Sequence, residues 1–304
     1  PQDDIFYRVN DDSISYHRKY YAENGNLNVP DNYTVGVSNL GRAILFSKRI
    51  PDDFQIPMLL NFGGGAEATN NKNLKLYNAW NKKHGANYCN YTMGFGMSEA
   101  GPVISTAASF CTYNDLKCGI PLVHNIVGIF DEDCNEIDHT CVGEVCVSSP
   151  GVMKGYAKEE DTKKAIKIHA DGRRWLHTGD YGFMNDEGEL TILSRGLDKT
   201  WIGGNLYLMA MGNKVVELPG IRDAFFVSVP DEEHEGYKVP FMYLMPEEGA
   251  KLEDIEAELK EALDPHEYPV EIRIIEERPW FHFKTHRIGL VNGILAERAA
   301  KKNN

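Results

Sequence analysis

The sequence predicts an α/β section followed by a small α+β unit. An apolar run at residues 57–62 leads into Gly63-Gly64-Gly65 and then into an amphipathic stretch. Residues 175–193 read as strand, tight turn and strand. Beyond residue 213, short β-branched runs alternate with amphipathic helical stretches. A chain of 304 residues makes two domains the natural count. Its 42% hydrophobic and 25% charged residues suit a globular protein with a sizeable core.

Charge and composition narrow the function classes. The net charge of −13 argues against a general nucleic-acid binder, because a phosphate backbone needs a basic face. It leaves room for a local basic pocket that holds a nucleotide. No apolar run is long enough to span a bilayer, and the polar N-terminus PQDDIFYRVN is not a signal peptide, so a cytoplasmic protein with no membrane partner is expected. Of the six cysteines, Cys118, Cys134, Cys141 and Cys146 are loosely clustered, with no C-x-x-C pair. Zinc sites usually show closely paired ligands, so scattered reduced thiols are the expectation. No H-x-x-x-H pair falls on a predicted helix.

The elements follow in order. The first fifty-odd residues carry no usable motif; within the mixed stretch 1–29, the basic and aromatic patch at 16–21 reads as a packed helix edge. A loop precedes a short helix at 40–46. The strand at 57–62 meets three glycines, which permit a tight bend and close backbone approach to a flat ligand. Leu74, Leu76, Tyr77 and Trp80 sit at helical spacing, predicting a helix over 74–84. A strand is expected at 86–91, then a loop at 95–99. Residues 118–149 read as β-rich, with strands at 127–130 and 143–147 around a turn at 131–135. A helix over 159–168 leads to the hairpin.

In that hairpin Asn185-Asp186-Glu187-Gly188 is turn chemistry, and Leu190-Thr191-Ile192-Leu193 alternates as a half-buried strand. Asp180 follows Gly179 on the first strand, and Arg195 lies just past the second. A carboxylate and a guanidinium held this way can grip a vicinal diol, the first accepting from both hydroxyls and the second donating. The plain alternative is a surface ion pair. In the last part, strands are expected at 224–229, 241–245 and 270–275, and helices at 252–263 and 288–300.

Gly94-Phe95-Gly96-Met97-Ser98-Glu99-Ala100-Gly101-Pro102 resembles the Tyr-Gly-x-Thr-Glu signature of the adenylate-forming enzymes, which include acyl- and aryl-CoA synthetases and amino-acid adenylation domains. Gly63-Gly64-Gly65-Ala66 resembles the family's Gly-Gly-Ala/Glu turn. Thr178-Gly179-Asp180 and Ser194-Arg195 resemble its Thr-Gly-Asp and Gly-Arg motifs. Each is weak alone, but all four occur in the family's order. The resemblance covers roughly residue 58 to the C-terminus.

That resemblance implies a fold, a reaction and a site. Residues 1–195 would be the C-terminal portion of the large AMP-binding domain, its β-rich section a small distorted barrel. Residues 196–304 would be the small mobile C-terminal domain. The reaction would be ATP-dependent activation of a small carboxylic acid as its adenylate, most like an acyl-CoA synthetase. Transfer to the thiol of CoA or of a carrier protein's pantetheine would follow. Gly63, Gly64, Gly65, Phe95, Gly96, Met97 and Ser98 would lie along the nucleotide, with adenine on Phe95 and the α-phosphate at the Ser98 hydroxyl. Glu99 would hold Mg²⁺ through a hard oxygen. Asp180 and Arg195 would hold the ribose, and Gly204 would back the thiol's tunnel.

The departures are specific. Phe95 and Ser98 replace Tyr and Thr, keeping a ring and a hydroxyl. Leu197 stands at the hinge position, beside Asp198 and Lys199. Leu208-Met209-Ala210-Met211-Gly212 replaces a motif with two glutamates. No Gly-Lys follows Pro279, so Lys284 is the nearest candidate for the family's catalytic lysine and Arg287 the nearest other cation. No Ser/Thr/Gly-rich phosphate loop precedes Gly63, which implies part of a longer enzyme, inactive by itself. The alternatives are an amino-acid adenylation domain and a degenerate, non-catalytic nucleotide-binding relative.

Overall fold

The apolar run before the three glycines is a strand, Leu59–Gly64 (β1), and it runs parallel to Tyr91–Phe95 (β2). The computed structural model describes residues 31–32, 44–45, 47, 49–57, 59–87, 90–101, 103–107, 115–281 and 284–302. Asp31–Asn32 extends this sheet beside β1, and Ser105–Thr106 and Ile120–Pro121 extend it antiparallel beyond β2. Parallel neighbours need a crossover. Here it is the helix Asn71–Lys83 (α1).

Local chemistry sets the ends of α1. The Asn70 side chain accepts from the Asn73 N–H at 2.9 Å, and Lys82 and Lys83 sit in the last turn where the helix dipole favours cations. Its inner face buries Leu74 and Tyr77, and the Tyr77 ring stacks on Tyr91 of β2 at 4.2 Å. Phe54, Ile56, Leu59 and Met93 complete this core.

The β-rich section is an antiparallel sheet. Its strands are Ile126–Phe130 (β3), Gly143–Ser148 (β4), Ile166–Ile168 (β5), Arg174–Met184 (β6) and Leu190–Arg195 (β7). The order is β7-β6-β4-β3, with β5 also on β6. The expected small barrel is an open sheet among the described residues: no ladder joins β3 to β7. The edge of β7 is covered instead by residues 117–119, through Cys118 N–H to Leu190 O at 2.7 Å and Leu190 N–H to Gly119 O at 2.8 Å.

In the last part, Ile221–Pro230 (β8) pairs antiparallel with Lys238–Pro246 (β9), and Glu271–Ile274 (β10) adds parallel to β9. Both faces of this sheet are covered. Phe226, Met242 and Leu244 face Leu208–Val215 (α3) and Leu252–Ala262 (α4), among Met211, Val215, Ile255 and Leu259. Phe225, Val227, Phe241 and Tyr243 face Arg287–Lys302 (α5) through Ile294.

Several local expectations shift. The strand read at 86–91 begins only at Tyr91, because Gly85 and Ala86 belong to the turn that closes α1. The helix read over 159–168 spans Glu159–Ala165 (α2) and then becomes β5. That helix buries no residue, whereas Ile166-Lys167-Ile168 alternates beside β6. Gly63 and Gly64 are strand residues, so the bend comes after them. The segment 208–215, left without an element, is α3, with Met211 and Val215 buried. Of the helix read at 40–46 only Ile44 and Leu45 are described, and both are helical; the patch at 16–21 lies outside the described residues.

Candidate functional site

The site is built around the β6–β7 hairpin. Arg195 is the cross-strand partner of Asp180, and its Nη1 donates to the Asp180 carboxylate at 2.8 Å. A register irregularity between Ile192 and Ser194 brings the pair into line. Gly179 makes the approach possible: its φ of +72° is a backbone state that L side chains rarely adopt. Its carbonyl accepts from the Gly196 N–H at 2.7 Å, closing the strand ends together. Thr178 is locked beneath, its hydroxyl donating to Val145 O at 2.6 Å and accepting from the Asp180 N–H at 3.1 Å.

Asp180 is buried, with 7% of its surface exposed, while the Arg195 side chain is 66% exposed. Burial pushes the Asp180 carboxyl up to about 6, against the opposing pull of Arg195 and Lys284. The Lys284 charge therefore acts on Asp180, although 104 lies between their numbers and they belong to different sheets. Lys284 is exposed, in the two-residue strand Lys284–Thr285 opposite Trp280–Phe281.

Glu99 lies in the short 3-10 turn Ser98–Ala100. The Tyr156 hydroxyl donates to its Oε1 at 2.8 Å. That hydrogen bond holds the Tyr156 phenol above its ordinary range, while the Arg195 charge pulls the other way. Tyr156 thus joins Glu99 electrostatically to the hairpin, a role no motif marked. Phe95 ends β2, half-buried between two apolar clusters. Gly96 and Met97 follow it, half-buried and with Met97 extended, and Ser98 is exposed.

The glycines divide by role. A Cβ on Gly63 would meet the carbonyl oxygen and hydroxyl of Thr92 at 2.8 Å, and one on Gly65 would meet Gly94 O at 3.2 Å. Both therefore serve the close approach of β1 to the Thr92–Gly94 backbone. Gly64 is the half-buried strand residue between them. Gly204 has a φ of +95°, and a Cβ there would lie 2.6 Å from Cγ of the His266 ring. The imidazole packs against the bare backbone.

Glu67 was not marked by any motif, yet it ties the glycine segment to the chain end. Its carboxylate accepts from the Thr285 N–H at 2.9 Å, from the Thr285 hydroxyl, and from Arg287 Nη1 at 3.1 Å. Arg278 donates to Asp223 at 2.6 and 3.1 Å and lies 3.8 Å from Glu67. Two carboxylates and two guanidiniums thus form one network, with Thr285 directly after Lys284. The signal for it was faint: lone charges beside glycines and aromatics.

Residues 34–157 match a family described as AMP-binding enzyme. This stretch is similar to the AMP-binding enzymes. A long-chain-fatty-acid–CoA ligase of Escherichia coli is 32% identical over 200 residues, covering 64% of this chain and 33% of the ligase. A 2-succinylbenzoate–CoA ligase of Oceanobacillus iheyensis is 32% identical over 146 residues, 48% of this chain and 29% of that enzyme. The chain thus spans about a third of the length of these curated relatives. Among solved structures, the amide bond synthetase of Marinactinospora thermotolerans has a TM-score of 0.71 at 21% identity, over 86% of this chain and 51% of its own. The O-succinylbenzoate CoA synthetase of Bacillus subtilis, in complex with ATP and magnesium, has a TM-score of 0.66 at 20% identity, over 91% and 54%. At these identities the likeness to the two solved structures is one of fold. No helix among the described residues is long and apolar enough to cross a membrane.

Proposed function

We propose that this chain holds the adenylate in an ATP-dependent ligase that activates a small carboxylic acid and passes it to a thiol, that of CoA or of a carrier protein's pantetheine. In this reading residues 1–195 are the C-terminal portion of the large domain and 196–304 the small mobile one. The observation that carries it is the Asp180–Arg195 pair, joined by the Lys284 charge.

The roles follow from chemistry. Asp180 accepts from the ribose hydroxyls, and the exposed Arg195 donates beside it. Phe95 offers a ring face to adenine, with Gly96 and Met97 along it, and Ser98 a hydroxyl to the α-phosphate. Glu99 fits a magnesium ion: it is a hard oxygen donor, half-exposed, and Tyr156 engages only its Oε1. Bound there, the ion would supply charge neutralisation at the phosphates. Gly204 lies along the thiol's path in this reading. Lys284 supplies the cation that stabilises charge as the carboxylate attacks the α-phosphorus and pyrophosphate leaves. Arg287 is the weaker candidate, because Glu67 already engages its guanidinium at 3.1 Å.

Calorimetric titration with AMP tests the ribose assignment. Asp180→Ala should weaken binding by about 1.5–3 kcal/mol, the scale of a hydrogen bond to a charged group. Unchanged affinity would sink it. Pyrophosphate release across a carboxylate panel, using the complete reading frame that holds this chain, separates catalyst from nucleotide binder.

A further inference from the structure

Strands β4 and β6 bring together three groups that the proposed reaction does not use. Cys146 and His177 are cross-strand partners, and Glu144 lies two residues before Cys146 on the same strand. The ladder shifts register between Glu144 and Cys146, and such irregularities re-aim side chains. Cys146 Sγ is 3.5 Å from His177 Nδ1, and Glu144 Oε2 is 2.8 Å from the same nitrogen. All three donor atoms lie within 4.8 Å of one another.

We propose that Glu144, Cys146 and His177 form a binding site for a thiolate-seeking divalent metal ion, zinc above all. The geometry suits a tetrahedral ion. Bond lengths of about 2.3 Å to sulfur and about 2.0 Å to nitrogen give a sulfur–nitrogen edge of about 3.5 Å. The observed edge is 3.5 Å. The Glu144–His177 edge needs to open by only about 0.5 Å, as a hydrogen bond gives way to two metal bonds. Three protein ligands leave a fourth position for water.

The surroundings supply the rest of a metal site. His169 Nε2 lies 2.9 Å from His177 Nε2. A metal on Nδ1 puts the His177 proton on Nε2, where it donates to His169 and fixes the ring. His169 Nδ1 is itself buried with no hydrogen-bond partner among the described residues, so the polar cluster is incomplete there. Phe130 walls the cluster, its ring edge-on to His169 at 4.6 Å and to Trp175 at 5.0 Å. Apolar walls of this kind keep water out and strengthen charge interactions inside. Glu144, with 17% of its side chain exposed, marks the way in.

Charge and protons balance. Burial pushes the Cys146 thiol above its ordinary range. Uptake displaces the thiol proton to solvent, while His177 binds as a neutral imidazole with its single proton at Nε2. Thiolate and carboxylate then neutralise the dication. Lys167, whose ammonium donates to Cys134 Sγ at 3.0 Å, is the one cation acting on Glu144, Cys146 and His169 together among the described residues. It is exposed. The Gly179 N–H donates to Glu144 Oε1 at 3.0 Å, so an occupied site also braces the backbone that carries Asp180.

The test uses protein stripped with a chelator and titrated with zinc by calorimetry, then with cobalt(II) by absorption spectroscopy. The expected result is one ion per chain, a thiolate-to-cobalt charge-transfer band, and release of protons to buffer. Cys146→Ser and His177→Gln should each weaken zinc binding at least tenfold and remove or shift that band. Cys141→Ser, at an exposed thiol, should change neither. The cobalt band on the unaltered protein guards against variants that fail to fold. Its absence, or zinc binding indifferent to both substitutions, overturns the proposal.

Discussion

Glu67→Ala removes one carboxylate from a network of two carboxylates and two guanidiniums. The Glu67, Arg278 and Asp223 side chains are 7%, 10% and 5% exposed. With Arg287 counted, the substitution leaves two guanidiniums facing one carboxylate, a net positive charge in the network. Asp223 still pairs with Arg278, but Arg287 and both donors of Thr285 lose their acceptor. Removing one partner of a buried pair costs about 3–5 kcal/mol. Arg287 is 36% exposed and recovers part of that from water, so about 3 kcal/mol is the expected loss. Glu67→Gln keeps an acceptor for Thr285 and should lose less. The assay is equilibrium unfolding in urea, read as a lower midpoint at unchanged slope. A loss below about 1 kcal/mol for Glu67→Ala, the scale of a surface pair, would refute the buried network.

Three further outcomes are expected. The Asp180 carboxyl, at about 6 in the fold against 3.8 ordinarily, holds its proton more tightly folded than unfolded. Its stability contribution is therefore full below about pH 4 and lost as pH rises through about 6, on the order of 3 kcal/mol. Urea unfolding of Asp180→Asn from pH 4 to 7 should lack that dependence; a profile parallel to wild type contradicts the shift. Gly182→Ala would drive a Cβ into the Thr191 carbonyl of β7, so the hairpin should lose about 1–3 kcal/mol by thermal or urea unfolding, and a neutral result contradicts the close approach. Lys284→Ala, in the complete reading frame, should depress pyrophosphate exchange by about a hundred- to a thousandfold and spare thiolysis of preformed adenylate. Equal retention of both half-reactions removes Lys284 from the mechanism.

The hairpin at the centre of the site was legible from sequence because its signals are local. Asn185 accepts from the Glu189 N–H at 2.8 Å, the self-bonding that makes Asn a turn residue, and the strands alternate on either side. The same holds for α1, with Leu74 and Tyr77 at helical spacing, and for the strand–helix alternation of the last part. Asp180 and Arg195 stand 15 apart on one hairpin, so strand pairing alone brings them together. Propensity could not tell where α2 yields to β5, since the reason for that change lies in β6. Nor could the glycine pattern show the strand contact of Gly63 with Thr92. Glu67 meets Thr285 across 218 residues, and Cys146 meets His177 across 31. Periodicity and turn chemistry act over a few residues, whereas a charge or a thiol acquires its partner only when sheets and helices pack. The sequence by itself determined the elements and the hairpin pair; the tertiary structure decided which distant side chains share a buried, low-dielectric space.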